Sequence, residues 1–181
     1  MPRIFTGIEI PPATRDALSL LRGGLPGARW IDAENYHITI RFIGDVDGCS
    51  AAEIDEMLSL VRRLPFQLEI VGLDFFGARR PHALIARIAP SSELSELYSE
   101  HERLMQRLGR PPEARRYAPH VTLARLRGTS ETQMASHLSQ RGRVAIPPFS
   151  VDRFALFSAR ESVGGGPYVV EAAYPLSEAV D

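Results

Sequence analysis

Apolar and polar residues alternate over seven short stretches of the chain: residues 4–10, 36–43, 66–75, 83–88, 120–125, 149–157 and 168–173. Their β-branched and aromatic content is that of half-buried strands. Four longer stretches, 12–22, 51–63, 92–108 and 130–140, repeat their apolar residues every three or four positions and predict helices. In the third, Leu94, Leu97, Leu104 and Leu108 follow Ser91-Ser92, a helix-start pair. Gly and Pro mark the loops, as in Gly23-Gly24 and Gly109-Arg110-Pro111-Pro112. The order of elements occurs twice. Helix, His-bearing strand, helix and hairpin fill roughly residues 12–88, and the series returns over roughly residues 92–173. The same 83 positions separate His37 from His120, Thr39 from Thr122, and Pro65-Phe66 from Pro148-Phe149. The pattern predicts an α+β fold of two pseudo-twofold-related lobes. Each is a mostly antiparallel sheet with two helices packed outside, and together they form a central cleft within a single bilobal domain, 1–181.

The repeated strands carry the chemistry. His37-Ile38-Thr39-Ile40 and His120-Val121-Thr122-Leu123 each put an imidazole and a hydroxyl on one strand face and two apolar side chains on the other. Five histidines would produce such a pair by chance in roughly two sequences per ten thousand. Two histidines, one neutral and one protonated, can remove a proton from water and deliver one to a departing oxygen on opposite sides of phosphorus. Thr39, Thr122 and an arginine suit the charge that develops on the non-bridging oxygens. The two motifs are near-equivalent, so this reading leaves open which histidine is acid and which is base. No Asp, Glu or Cys joins the pair in a ligand-like cluster, so no metal and no cofactor are expected.

Composition narrows the classes. All 21 basic residues are arginine, which excludes a nucleophilic lysine and with it a lysyl-adenylate route to ligation. The net charge of −1 argues against a surface coated with phosphate-binding charge. One cysteine, Cys49, excludes an internal disulfide framework and reads as a turn or helix-start residue. No run is long and apolar enough for a membrane span and no signal-peptide pattern is present, so a cytoplasmic monomer is expected. His82, His101 and His137 lack a paired threonine and read as solvated loop or helix-face residues. The pairs Arg79-Arg80 and Arg115-Arg116 read as solvated charges, with the lining of an RNA groove as the alternative, and Trp30 and Tyr168 as packing or base-stacking residues. Gly164-Gly165-Gly166 reads as a hairpin turn.

The chain resembles the LigT-like branch of the two-histidine (2H) phosphoesterases, the RNA 2',3'-cyclic phosphodiesterases also called 2'-5' RNA ligases. The resemblance spans Arg3-x-Phe5, Ile8-x-x-Pro11, Trp30, Glu34-Asn35-x-His37-x-Thr39-x-x-Phe42-x-Gly44, Phe76-Gly77 and Arg80-Pro81. It continues through Pro119-His120-Val121-Thr122-Leu123-Ala124-Arg125, Ser158, Gly166-x-Tyr168 and Tyr174-Pro175-Leu176. Ile40, Arg41 and Tyr117 depart from the commoner Leu, a neutral residue and Phe. The resemblance implies that His37 gives a proton to the leaving ribose 3'-oxygen and that His120 activates water, leaving a 2'-phosphate. It implies that Thr39, Thr122 and Arg125 hold the phosphate and that Phe42 stacks on the base. The implied partners are RNA 3' ends bearing a 2',3'-cyclic phosphate, or small cyclic nucleotides. Phe42 and Arg125 each stand five positions after their histidine, where strict alternation would turn them to the opposite face. A bulge or a strand end is therefore required in both motifs. The competing readings are a reversible 2'-5' end-joining ligase and a non-catalytic RNA-end binding module.

Overall fold

The computed structural model describes residues 2–159 and 166–177; Gly164 and Gly165 of the glycine run lie outside them. The strands are β1 (Arg3–Glu9), β2 (Ala28–Trp30), β3 (His37–Asp45), β4 (Phe66–Leu68), β5 (Ile70–Phe76), β6 (Ala83–Ile88), β7 (His120–Leu126), β8 (Phe149–Val151), β9 (Arg153–Ala159) and β10 (Tyr168–Pro175). The helices are α1 (Pro12–Ser19), α2 (Gly48–Ser59), α3 (Ser92–Arg107) and α4 (Glu131–Arg141). Three helix starts carry side-chain caps that satisfy otherwise orphaned N–H groups. Asp47 accepts from Ser50 N at 2.8 Å, Ser91 from Leu94 N at 3.1 Å, and Ser130 and Gln133 form a reciprocal capping box. Cys49 is exposed in the first turn of α2. Helix α1 begins on a proline with no side-chain cap and ends at Ser19, short of the expected residue 22.

All the strand pairings are antiparallel, in the order β10-β9-β1-β3-β7-β6-β5, with β2 also paired to β7 and β4 paired to β8 in a separate ribbon. The two halves of the large sheet meet at a single residue pair, Ile38↔Val121. Those residues are themselves 83 apart, so an approximate twofold maps the pair onto itself. The ribbon obeys the same operation: Phe66↔Val151 and Leu68↔Phe149 exchange under it. The third strand out on each side, β5 and β9, again differs by 83 positions. The expected strands 66–75 and 149–157 are each split, at Glu69 and Asp152, because the chain passes there from ribbon to main sheet. Buried and exposed positions alternate without a break through Glu69, so periodicity alone does not mark this crossing.

The helices cover one face of the sheet and enclose the main core, in which Ile8, Ile38, Leu84, Val121 and Leu123 pack with Leu18, Leu58, Leu97, Met105 and Met134. A second, small apolar cluster of Phe5, Ala155 and Phe157, with Tyr168 against it, is separate from that core. Gly7 makes it possible: a Cβ there would stand 2.8 Å from Ile38 O and 3.2 Å from the Phe157 ring.

Two of the three remaining histidines are not solvated. His101 is fully buried, because it falls on the same helical stripe as Leu94, Leu97, Leu104 and Met105. Its ring meets Phe154 edge-on at 4.8 Å, neither ring nitrogen completes a hydrogen bond, and burial pushes its pKa down to about 3. His137 is likewise buried on α4 with Met134. His82 is exposed as expected, as are Arg79, Arg80, Arg115 and Arg116. Trp30 is half-buried against the main core.

Candidate active site

Strands β3 and β7 each carry the bulge that the spacing demands. In β3, Gly7 pairs with Thr39 and Thr6 with Arg41, leaving Ile40 unpaired; Ile40 and Arg41 are both buried and Phe42 is turned out, 53% exposed. In β7, Ile85 pairs with Thr122 and Leu84 with Ala124, leaving Leu123 unpaired; Leu123 and Ala124 are both buried and Arg125 is turned out. One extra residue reverses the alternation. Phe42 therefore shares the face of His37 and Thr39, and Arg125 the face of His120 and Thr122. The two bulges stand at the same place in the repeat.

The Ile38↔Val121 pair sets the relation between the motifs. One residue along in each direction, antiparallel geometry puts His37 across from Thr122 and Thr39 across from His120. The histidines are diagonal neighbours, which in a regular ladder separates their Cα atoms by about 7–8 Å. Both spend Nδ1 in the same way. His37 Nδ1 donates to Asn35 O at 2.9 Å and His120 Nδ1 to Ala118 O at 2.6 Å. A carbonyl can only accept, so each neutral ring carries its proton on Nδ1 and keeps the Nε2 lone pair for other work. For His37 that nitrogen lies 3.0 Å from Thr39 Oγ1.

The surroundings of the two rings differ. Phe5, Tyr168 and Phe157 stand 4.9, 4.8 and 5.6 Å from the His37 centroid. Burial in this box, helped by the positive charges of His120 and Arg125 and opposed by the Asn35 hydrogen bond, pushes the His37 pKa down to about 4. His120 has one ring against it, Phe76 at 4.8 Å, edge-on. Its pKa is also lowered, by burial and by Arg125, against the hydrogen bond to Ala118.

Several contributors had no role assigned to them from the sequence. Asn35, quoted in the motif without a role, and Ala118 act through their carbonyls from the position two residues before each histidine. Phe5, Phe157 and Phe76 come from other strands of the sheet. Arg41, in the β3 bulge, is 6% exposed and would be a buried charge without partners. It pairs with Glu102 of α3, stands 3.7 Å from Glu113, and donates to the carbonyls of Phe42 and Pro111. Tyr117 O–H, stacked on Tyr98 at 4.1 Å, donates to Thr39 O at 2.9 Å. These contacts tie the bulge, and with it Phe42, to the loop that leads into His120. A cavity of about 790 Å³ touches this site through Asn35, Phe157 and Tyr168 but is lined by neither imidazole, so its size is not a guide to the chemistry.

The LigT-like phosphoesterase family model matches residues 8–85 and 88–168, one stretch for each histidine. The chain belongs to this family. A LigT-like relative from Aeropyrum pernix, named RNA 2',3'-cyclic phosphodiesterase, is 38% identical over 141 residues, 76% of this chain and 80% of its own. One of the same name from Geobacillus stearothermophilus is 30% identical over 98% of this chain, a region that makes up 58% of that longer protein. In fold the chain is similar to LigT of E. coli in complex with 3'-AMP, with a TM-score of 0.77, 22% identity, and 98% of this chain and 100% of that one covered. Among the described residues, no helix of this LigT-like chain is long and apolar enough to cross a membrane.

Proposed function

We propose that this LigT-like phosphoesterase hydrolyses 2',3'-cyclic phosphates at RNA 3' ends, with His37 and His120 as the acid–base pair. The observation that carries the reading is the pair of Nε2 atoms. Each is released by an Nδ1–carbonyl hydrogen bond, and the two sit on strands that touch at Ile38 and Val121. Water attacks phosphorus and gives up a proton to His120; the bond from phosphorus to the ribose 3'-oxygen breaks, and that oxygen takes a proton from His37. The products are a 2'-phosphate and a 3'-hydroxyl. Thr39, Thr122 and Arg125 face the non-bridging oxygens, and Phe42 offers its exposed ring to the base.

A donor with a pKa near 4 must be recharged before it can donate. Lowering an imidazole from 6.5 to about 4 corresponds to about 3 kcal/mol. The cyclic phosphate brings one negative charge, and an anion at about 4 Å favours the imidazolium by about 4 kcal/mol at an effective dielectric near 20. Substrate binding and proton uptake are thus coupled, and the proton arrives with the anion that needs it. The reading invokes no metal, because both proton transfers are assigned to imidazoles.

The test offers a short RNA ending in a 2',3'-cyclic phosphate to the purified protein in EDTA. A 2'-phosphate end and undiminished turnover are expected. A 3'-phosphate end would reverse the assignment of leaving group, loss of turnover under chelation would point to a metal enzyme, and joining to an added 5'-hydroxyl RNA would favour the ligase reading.

A further inference from the structure

The groove face of β6 holds an arginine that the hydrolysis itself does not use. Arg87 pairs with His120 across β6 and β7, and cross-strand partners point to the same side of a sheet, with Cα atoms about 5 Å apart. It is exposed. Along that face β6 otherwise presents Ile85 and Ala83, both buried, opposite Thr122 and Arg125. On its other flank Arg87 faces Gly72 of β5, which has no side chain to pair with it. Asp74, diagonal to it on β5, instead turns its carboxylate back to accept from Phe75 N at 2.8 Å. Among the described residues no carboxylate forms an ion pair with Arg87.

An exposed cation one strand over from a catalytic ring, without a protein ion pair, suits an anion one step removed from the reacting one. In a cyclic-ended RNA that anion is the internucleotide phosphate on the 5' side of the terminal ribose. We propose that Arg87 binds this phosphate, so that the groove selects oligonucleotide ends over free cyclic mononucleotides. The proposal rests on the functional reading above and adds a second phosphate subsite to it. Arg125 serves the scissile phosphate and Arg87 the next one. Such a contact works on binding of the strand rather than on the transition state, so it belongs in KM.

The test compares three substrates: a nucleoside 2',3'-cyclic phosphate, the same molecule carrying a 5'-phosphate, and a tetranucleotide ending in the cyclic phosphate. The second and third are expected to have the lower KM, by about tenfold, as befits one charge-assisted contact. Arg87→Ala should collapse that ratio about tenfold with kcat little moved, and Arg87→Lys should restore most of it. With the tetranucleotide, Arg87→Ala should also flatten the dependence of log KM on log salt by about 0.7, the value for one phosphate contact on a single strand. An Arg87→Ala enzyme that loses equally on all three substrates, or keeps its salt slope, overturns the subsite. A wild-type enzyme that turns over none of the three overturns the underlying reading and the subsite with it.

Discussion

The strand carrying His37 and the strand carrying His120 bulge at the same place and use the bulge differently. Five residues after the histidine, β3 turns out Phe42, whose ring lies 5.5 Å from Phe5, while β7 turns out Arg125. Around His37 the groove is aromatic. Around His120 it carries arginine, with Arg87 across from the histidine and Arg29 across from Arg125. The repeated backbone supplies two imidazoles with matched Nδ1 anchors, and the side chains around them have diverged into an apolar half and a cationic half. Even the bulges need different support. Ala124 is buried without requirement, whereas Arg41 at the matching place is a buried charge that draws Glu102, Glu113 and two carbonyls onto the β3 side.

The most severe break is to remove either imidazole. His37→Ala and His120→Ala should each lower kcat by about 10²–10⁴, the worth of a general acid or base. If the halves act as one unit, the double variant should be little worse than the poorer single one. Single-turnover rates at saturating substrate give the comparison. Multiplicative losses would mean that the histidines work in separate steps or at separate sites.

A smaller effect separates the halves by kind. Arg125→Ala removes charge from the phosphate and should cost about 10² in kcat/KM, most of it in kcat. Phe42→Ala removes a stacking surface and should raise KM about tenfold with kcat nearly kept. Equal losses of the same kind in both variants would sink the division into a base side and a phosphate side.

The histidines, their threonines and the repeat were legible because type and spacing coincide: His-x-Thr is a strand-face pattern, and 83 positions is a registry. The need for a bulge was legible too, as a conflict between spacing and alternation, although not its position at Ile40 and Leu123. What escaped reading acts across strands. Phe5 and Phe76, quoted in the motifs without a role, and Phe157 and Arg87, not quoted at all, join the site through sheet order, which no local pattern encodes, and β2 is only three residues long. His101 escaped for another reason: its helical phase, four positions after Leu97, outweighs the polarity of its side chain.

The smallest expected effects concern pH, and they distinguish the groove histidines from His101 on the helix side. The proposed mechanism needs one proton on the His37–His120 pair, and in the free protein both rings are depressed, His37 to about 4 and His120 below its ordinary 6.5. The kcat/KM profile should therefore decline with rising pH from a point under 6.5, while the kcat profile, with the phosphate anion bound, should lie at higher pH. A kcat/KM plateau extending to pH 8 would remove the aromatic box from the account. Stability follows the opposite sign. A histidine whose folded pKa is lowered adds no penalty above 6.5, and costs stability as pH falls toward the folded value, because the unfolded chain takes up the proton first. For His101, with a folded value of about 3, the slope approaches about 1.4 kcal/mol per pH unit over the middle of that window. His101→Leu also removes two buried, unpaired nitrogens. Urea midpoints should show a gain of under about 1 kcal/mol at pH 7, growing by on the order of 2 kcal/mol at pH 5. The kcat/KM profile should stay in place in this variant, because His101 packs on Phe154 in the helix-side core and not on the groove. A profile that moved with the stability curve would mean that activity at acid pH reports unfolding rather than the protonation of two imidazoles.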